Sequence, residues 1–434
     1  MDKMADVLGR AGAWCGQNKY LSAIKNAFQN FMPLTIAGAI GVLWCNVLVN
    51  ESTGLGIFFK PIMALEFLNP AFQAVNFCTI SCITVGITLG IAQEIGVWNM
   101  GAEKAGYIPG LVGLAAWLSV TNTSHMVEGA KEAFTGIAGN ELGATGLFTG
   151  MIIGVLSVEL FCFFEKQDAL KIKMPEQVPP GVARAFEVLV PATITLIITA
   201  CIGSACYNLT GLYLNDVIKN GIQGPLGAVG ATIPGVMIIY LVIMLFWLVG
   251  IHGNNMLSAV KEALFTPLAL ENVEAFNKHQ TPKNIINMYA LQMWGEFGGS
   301  GVTIGLVIAI MIFGKREDNK AIATLSLVPG LFNINETVTF GIPMVLNPIL
   351  GIPFVVAPLI TIIIGYVLTV IGFCPVACLT VPWTTPPIVF GFLACGANVM
   401  GAVTQAILIV VSTVIYTPFL ISYEKYQNKQ AAEA

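Results

Sequence analysis

Apolar stretches of near-membrane length recur along the whole chain, at 33–50, 71–98, 105–121, 143–164, 185–207, 231–251, 299–314, 349–374 and 399–422. A helix that spans the hydrocarbon core of a bilayer needs about 20 consecutive, mostly apolar residues. Hydrophobic residues make up 56% of the chain and charged residues 10%, whereas soluble domains carry roughly 25% charged residues. The pattern therefore predicts an all-α, polytopic membrane protein for which the lipid bilayer is the main environment.

The second half of the chain differs from the first because polar, Gly- and Pro-rich motifs interrupt its apolar stretches. These motifs are GIHGNN at 250–255, GEFGGSG at 295–301, PGLFNINETVTFGIP at 329–343 and TVPWTTPP at 380–387. Irregular backbone at membrane depth is tolerated where protein buries it or where it lines a cavity, and broken helices in transporters surround the substrate. We expect discontinuous helices or re-entrant hairpins here.

Two loops suggest where the chain divides. The 166–184 loop combines charge with prolines, and the 208–230 loop is Gly-rich and only weakly apolar, as is typical of connecting segments. We place the boundary near residue 230, which gives an N-terminal transmembrane half, 1–230, and a C-terminal half with broken helices, 231–434.

The 143–164 span carries Gly146, Gly150 and Gly154 at four-residue intervals. Such a stripe of small residues lets another helix approach closely. The partner could lie within the same subunit, which we favour, or in a second subunit.

Positive residues predict the orientation of the chain. Lys and Arg gather at 3–25, 166–184, 315–320 and 425–429, whereas the 51–70 and 208–230 loops carry one Lys each. Since positive loops stay in the cytoplasm, both termini are expected there. The polar 256–283 stretch is interpreted as a cytoplasmic excursion with an interfacial helix. A net charge of −4 offers no basic surface for nucleic acid.

Glu336 is the first candidate for a functional residue, because it is the only charged residue between positions 321 and 373. An ionisable group at membrane depth costs several kcal/mol unless it is partnered, and it usually marks a functional site. The alternative is that Glu336 only caps a hairpin tip. Asn333 and Asn335 supply neutral donors and acceptors suited to sugar hydroxyls, whereas an ion site would need more carboxylates.

Further candidates lie in the other breaks. His252 and Asn254 lie in GIHGNN, where the imidazole could reach a cavity or could be a satisfied structural group. Trp383 is held between prolines and could stack on a pyranose ring or belong to an interfacial belt. Glu296, preceded by Gln292, could be a second hydrogen-bonding carboxylate or could serve only to end a helix.

Other chemistries lack a signature in the sequence. There is no Walker-type loop and no Rossmann fingerprint, so ATP hydrolysis and dinucleotide binding are not expected. The pairs Cys78/Cys82 and Cys374/Cys378 have helical spacing, but a His or carboxylate that would complete a metal site does not lie near either pair. We predict no metal and no cofactor. Energy for transport would come from an ion or from another protein.

Taken in order, GIHGNN, NINETVTFGIPMVLNP and VPWTTPP resemble the membrane component, enzyme IIC, of bacterial phosphotransferase systems. The similarity is to the lactose, cellobiose and N,N′-diacetylchitobiose branch, and within it to the diacetylchitobiose permeases in particular. The resemblance implies about ten transmembrane helices, two re-entrant hairpins and a two-domain architecture in the bacterial cell membrane. It also implies a homodimer whose contact is formed by the first half, with the sugar held by the second half.

The resemblance further implies group translocation of a disaccharide. Enzyme IIB, itself supplied by enzyme IIA, would donate phosphate from its phosphocysteine to the sugar 6-hydroxyl, so the phosphoryl donor lies on the partner and not on this chain. Glu336 would bind or deprotonate that hydroxyl, His252 would hydrogen-bond near it, and Trp383 would line the sugar ring, with Asn335 and Asn254 as further contacts. An ion-coupled secondary transporter and a passive channel are the alternatives. The residues do not rank the three disaccharides.

Overall fold

The computed structural model describes residues 10, 14, 17–51, 56, 59–125, 134–175, 177–225, 230–342 and 344–433. The chain folds into two compact units. The N-terminal unit comprises residues 17–38 and 74–227, and the C-terminal unit comprises the described residues of 1–16, 39–73 and 228–434. Residues 39–73, which the predicted division assigns to the first half, thus group with the C-terminal unit.

Helices dominate the described part of the chain. Up to residue 227 they are α1 Lys19–Leu43, α2 Asn69–Asn76, α3 Ile83–Met100, α4 Ala102–Ala105, α5 Ile108–Val120, α6 Gly139–Leu142, α7 Ala144–Glu165, α8 Pro180–Thr210 and α9 Leu214–Ile218. Short 3₁₀- or π-helical turns cover Trp44–Leu48, Lys60–Leu68, Phe77–Ser81, Asp168–Leu170 and Lys219–Gln223. Two-residue strands, β1 Ser124–His125 and β2 Phe134–Thr135, pair antiparallel with Ser124 opposite Thr135.

The remaining helices form most of the C-terminal unit. They are α10 Ile233–Leu248, α11 Gly253–Met256, α12 Ser258–Asn277, α13 Met288–Gly295, α14 Ile304–Phe313, α15 Glu317–Leu331, α16 Glu336–Gly341, α17 Gly351–Val370, α18 Val389–Ala394 and α19 Val399–Glu433, with a 3₁₀ turn at Ser300–Val302. Several of them begin at a polar side chain that accepts otherwise unpaired backbone N–H groups. Asn287 caps α13 in this way, and Gln405 on α19 accepts from Ile388 and Gly391 at the start of α18.

The small-residue stripe of α7 packs within the N-terminal unit. A Cβ atom on Gly150 would lie 2.2 Å from Thr88 Oγ1, and one on Gly154 would lie 3.1 Å from the Thr88 carbonyl oxygen. Helix α3 can therefore approach α7 only because these positions lack side chains. Packing within one subunit is confirmed for this face of α7.

Several helical stretches of the described residues are long and apolar enough to cross a bilayer: Lys19–Leu48, Ala144–Glu165, Pro180–Thr210, Gly351–Val370 and Val399–Ala431. Bent pairs raise the number from five to as many as seven, namely Lys60–Ser81 with Ile83–Met100 at 42° and Met288–Val302 with Ile304–Phe313 at 60°. The chain is thus a multi-pass membrane protein. The count of about ten stays a prediction, because α5 and α10 are shorter apolar helices.

The polar motifs of the second half coincide with helix ends. Helix α10 ends before GIHGNN, the 60° bend follows GEFGGSG, α15 ends before NINE, and TVPWTTPP is irregular. In GEFGGSG, Gly299 has φ of +86°, and a Cβ atom there would lie 2.7 Å from Asn335 Cβ. Glycine is needed at this position both for its backbone conformation and for the close approach of Asn335.

Candidate functional site

Glu336 and His252 face each other in the C-terminal unit. Glu336 is the first residue of α16, and His252 immediately precedes α11. The Glu336 Oε1 and His252 Nε2 atoms are 3.8 Å apart, and the two side chains are 46% and 37% exposed. That distance is too long for a hydrogen bond, so both groups keep free capacity for a ligand. The Leu346 N–H donates to the Leu248 carbonyl at 2.8 Å, which ties the segment after α16 to the end of α10.

The hydrogen bonds of His252 fix which ring nitrogen carries a proton when the imidazole is neutral. Its Nδ1 accepts from the Asn255 backbone N–H at 3.3 Å, so the proton must be on Nε2. The ring also packs against Trp247, with 4.4 Å between the ring centroids. The Nε2–H group is therefore held on the side of Glu336, where it can donate to an oxygen placed between the two residues.

Asn335 and Asn333 bind the backbone of the other breaks. Asn335 is 4% exposed, and its Nδ2 donates to the Ser300 carbonyl at 2.8 Å. Asn333 accepts at Oδ1 from the Gly298 N–H at 2.6 Å and donates through Nδ2 to the carbonyl oxygens of Trp383 and Thr385. Asn333 and Asn335, both predicted to contact the sugar, thus already make hydrogen bonds to the backbone of the protein.

Trp383 lies in a turn that is fixed by its neighbours. The Thr385 N–H donates to the Pro382 carbonyl at 2.9 Å, and the Trp383 carbonyl accepts from Asn333. The side chain remains 44% exposed. The backbone of Trp383 is therefore held in place, while part of its indole remains open to a ligand.

Glu296 follows the last residue of α13 and is held by the protein. Its Oε1 accepts from the Tyr240 hydroxyl at 2.7 Å and pairs with the Lys261 ammonium. Lys261 is 6% exposed and Tyr240 is fully buried. Within the 256–283 stretch, which the sequence predicted to be a cytoplasmic excursion with an interfacial helix, Lys261 points into the unit and neutralises Glu296.

Lys261 is the functional candidate that the sequence interpretation missed. It lies four residues before Phe265, and both side chains are buried on the same face of α12. The i, i+4 spacing from an apolar position was the available signal, but the many charges of this stretch concealed it. The structure thus holds two charged pairs in the C-terminal unit, His252 with Glu336 and Lys261 with Glu296.

Two further predicted residues present oxygens that have no donor among the described residues. Asn254 Oδ1 and Gln292 Oε1 are both inaccessible to solvent and make no hydrogen bond there. A buried acceptor without a donor costs about 1–3 kcal/mol. Hydroxyl or amide groups of a bound ligand could supply such donors.

The comparisons with known proteins agree with one another. The profile of the family described as "Phosphotransferase system, EIIC" matches residues 25–358, a range that includes His252 and Glu336 but ends before Trp383. The oligo-beta-mannoside-specific EIIC component of Bacillus subtilis (strain 168) is 32% identical over 98% of this chain and 94% of its own. A cellobiose-specific EIIC component of Lactococcus lactis subsp. lactis (strain IL1403) is 29% identical over 98% of both chains.

A solved structure is also similar. The crystal structure of the transporter ChbC, the IIC component of the N,N′-diacetylchitobiose-specific phosphotransferase system, superposes with a TM-score of 0.88. The two sequences are 30% identical, and the match covers 97% of each chain. The likeness therefore extends over both units.

Proposed function

Because the chain belongs to the EIIC family of the phosphotransferase system, we propose that it is a permease that carries a disaccharide of the diacetylchitobiose or cellobiose type. The observation that carries this proposal is the open pair of Glu336 and His252, 3.8 Å apart in the unit with the broken helices. The sequence neighbours Asn254 and Asn335 are neutral amides, which suits an uncharged sugar better than an ion. The names of the similar proteins support the same class of substrate.

The pair can hold a sugar hydroxyl for phosphorylation. The 6-hydroxyl would donate its hydrogen to Glu336 and accept from His252 Nε2–H, which leaves a lone pair directed at an incoming phosphoryl group. Phosphoryl transfer depends mainly on such positioning and on charge stabilisation. The phosphocysteine of enzyme IIB would lose its S–P bond as the O–P bond forms, and Glu336 would take the hydroxyl proton. Enzyme IIA would then recharge enzyme IIB.

Residues in the other helix breaks would contact the rest of the sugar. Trp383, whose side chain is 44% exposed, would stack on a pyranose ring. The oxygens of Asn254 and Gln292, which lack a donor among the described residues, would accept from hydroxyl or acetamido groups once their side chains turn toward the sugar. Lys261 compensates the charge of Glu296, so Glu296 contributes to the site as a paired carboxylate. Phosphorylation would trap the sugar in the cytoplasm.

The N-terminal unit would form the contact of a homodimer. Its helix α8, Pro180–Thr210, is a candidate membrane span, and only 22% of its most apolar segment is buried within the chain. A second subunit or lipid must cover such a surface in a membrane. The cytoplasmic location of both termini follows from the charge distribution and belongs to the same proposal.

Reconstitution into vesicles tests the function. With enzyme IIB and a phosphoryl donor on one side, we expect only 6-phosphorylated disaccharide to collect there, and none when enzyme IIB is omitted. An ion-coupled secondary transporter would instead accumulate unmodified sugar when a proton or sodium gradient is imposed without any other protein. That second result would refute the proposal.

Calorimetric titration of the purified protein with cellobiose, lactose and diacetylchitobiose identifies the substrate. We expect saturable binding of at least one of the three, and weaker binding in Trp383→Ala with little change in the melting temperature. A protein that binds none of the three would contradict the assignment to this class of sugar.

A further inference from the structure

Asn333 connects three irregular segments that are far apart in sequence. It lies in the turn between α15 and α16, three residues before Glu336. Its Oδ1 binds the Gly298 N–H in GEFGGSG, and its Nδ2 binds the carbonyl oxygens of Trp383 and Thr385 in TVPWTTPP. One side chain thus joins the segment of Glu336 directly to the segment of Trp383.

The hydrogen-bonding capacity of this amide is almost fully used. An asparagine NH₂ group has two hydrogens, and its carbonyl oxygen has two lone pairs. Both hydrogens of Asn333 face backbone carbonyls, and one lone pair faces the Gly298 N–H. The side chain therefore has no donor left for a sugar hydroxyl.

The backbone of Asn333 also fits this role. Its φ is +62°, in the left-handed region that asparagine tolerates better than most other residues with a side chain. The turn is closed by bonds from the Asn333 and Ile334 N–H groups to the carbonyls of Gly330 and Pro329. This conformation sends the chain from the end of α15 into α16, where Glu336 begins the helix.

We infer that Asn333 is a positioning residue that sets the placement of Glu336 relative to Trp383, and that it does not itself bind the sugar. The inference rests on the proposed function, since it takes Glu336 to hold the hydroxyl and Trp383 to stack on the ring. A disaccharide can use both contacts only when their spacing is fixed, because a rigid site avoids the cost of ordering on binding.

Asn333→Gly tests the inference without straining the backbone, because glycine adopts positive φ freely. Loss of the cross-link should weaken disaccharide binding about ten-fold, equivalent to the net value of one or two hydrogen bonds, and should lower phosphorylation by enzyme IIB at saturating sugar. In a Trp383→Ala background the same substitution should weaken binding by less than about three-fold, since contacting or coupled sites are not additive. If that background binds too weakly to titrate, Trp383→Leu replaces it, because leucine keeps an apolar side chain but offers no aromatic face for stacking.

Asn319→Ser is the matched control. Asn319 is an asparagine whose amide likewise makes two donor bonds, to Glu424 and Gln427 near the start of α15, away from the three breaks. The Asn319→Ser substitution should lower the melting temperature, as the loss of an ordinary buried hydrogen bond does, and it should leave sugar affinity unchanged. If Asn333→Gly does not fold, Asn333→Asp takes its place, because it keeps the acceptor for Gly298 and removes both donors.

Equal weakening by Asn333→Gly in both backgrounds would show that Asn333 contacts the sugar directly, and unchanged binding would show that the cross-link is dispensable. Either result overturns the inference while leaving the proposed function intact. Failure of the unmodified protein to bind any disaccharide would instead overturn the proposed function.

Discussion

At position 336 a carboxylate stands beside an imidazole without binding it. The separation of 3.8 Å between Glu336 Oε1 and His252 Nε2 exceeds a hydrogen bond, although the Asn255 N–H holds the ring in place. A side chain that only capped α16 would be expected to bind backbone N–H groups instead. The two groups are better explained as a preformed receptor for one hydroxyl, with an acceptor on one side and a donor on the other.

Glu336→Gln separates binding from proton removal. The substitution keeps the size and one acceptor oxygen of the side chain, so disaccharide affinity should fall less than about ten-fold, the value of one modest hydrogen bond. Phosphoryl transfer from enzyme IIB should fall by about 10² to 10⁴, the usual contribution of a general base. Calorimetric titration and the initial rate of sugar phosphate formation measure the two effects.

Glu317→Gln is the control, because Glu317 is an exposed carboxylate that pairs across the surface with Lys320. It should leave both the affinity and the rate unchanged. Should Glu336→Gln phosphorylate sugar as fast as the unmodified protein, Glu336 would not act as the base, and its role would be reduced to binding.

At the scale of elements, the broken helices are held together by polar side chains of other segments. Asn333 and Asn335 bind the 298–300 backbone, and Lys261 of α12 pairs with Glu296 at the end of α13. Backbone groups released by a helix break must find partners within the protein at membrane depth. The same bonds that satisfy the backbone therefore also fix the positions of the site residues.

The Lys261–Glu296 pair gives a prediction for stability. Removing one member of a buried ion pair leaves an uncompensated charge and costs about 3–5 kcal/mol, whereas replacing both members is often neutral. Lys261→Met and Glu296→Gln should each lower the melting temperature markedly, and the double variant should recover most of the loss. Thermal unfolding of the detergent-solubilised protein measures these changes in stability. The exposed pair of Lys320 and Glu317 is the control, because breaking it should cost only about 0–1 kcal/mol of stability.

Additive losses in the double variant would show that the two side chains do not compensate each other. A double variant that regains stability but not sugar phosphorylation would show that the pair also serves the proposed site. The two measurements together distinguish a purely structural ion pair from one that serves the site.

At the scale of the whole molecule, the sequence predicted those features that depend on local pattern. The breaks at GIHGNN, GEFGGSG and NINE lie at helix ends because glycine, proline and asparagine act within a few residues. The Lys261–Glu296 pair joins positions 35 residues apart, and Asn333 reaches Thr385 across 52 residues. Such contacts depend on how helices pack, so the sequence did not reveal that Lys261 pairs with Glu296 or that Asn333 bonds to two other irregular segments.

The orientation of the chain is a property of the whole molecule that charge alone predicts. Lys and Arg concentrate at 3–25, 166–184, 315–320 and 425–429, and positively charged loops resist transfer across the membrane. A reporter enzyme that is active only outside the cytoplasm should therefore be inactive when fused at the C-terminus or inserted in the 166–184 loop. The same reporter should be active when inserted in the 208–230 loop, which carries one Lys.

A fluorescent protein that matures only in the cytoplasm is fused at the same positions as a complementary reporter. A fusion that is inactive because its position is cytoplasmic will then fluoresce, whereas a poorly expressed fusion will give neither signal. The opposite pattern of reporter activity at both loops would show that the protein has the inverse orientation in the membrane. In the proposed function the phosphocysteine of enzyme IIB would act from the cytoplasm, so sugar bound at Glu336 would have to become accessible from the side that carries the positive loops.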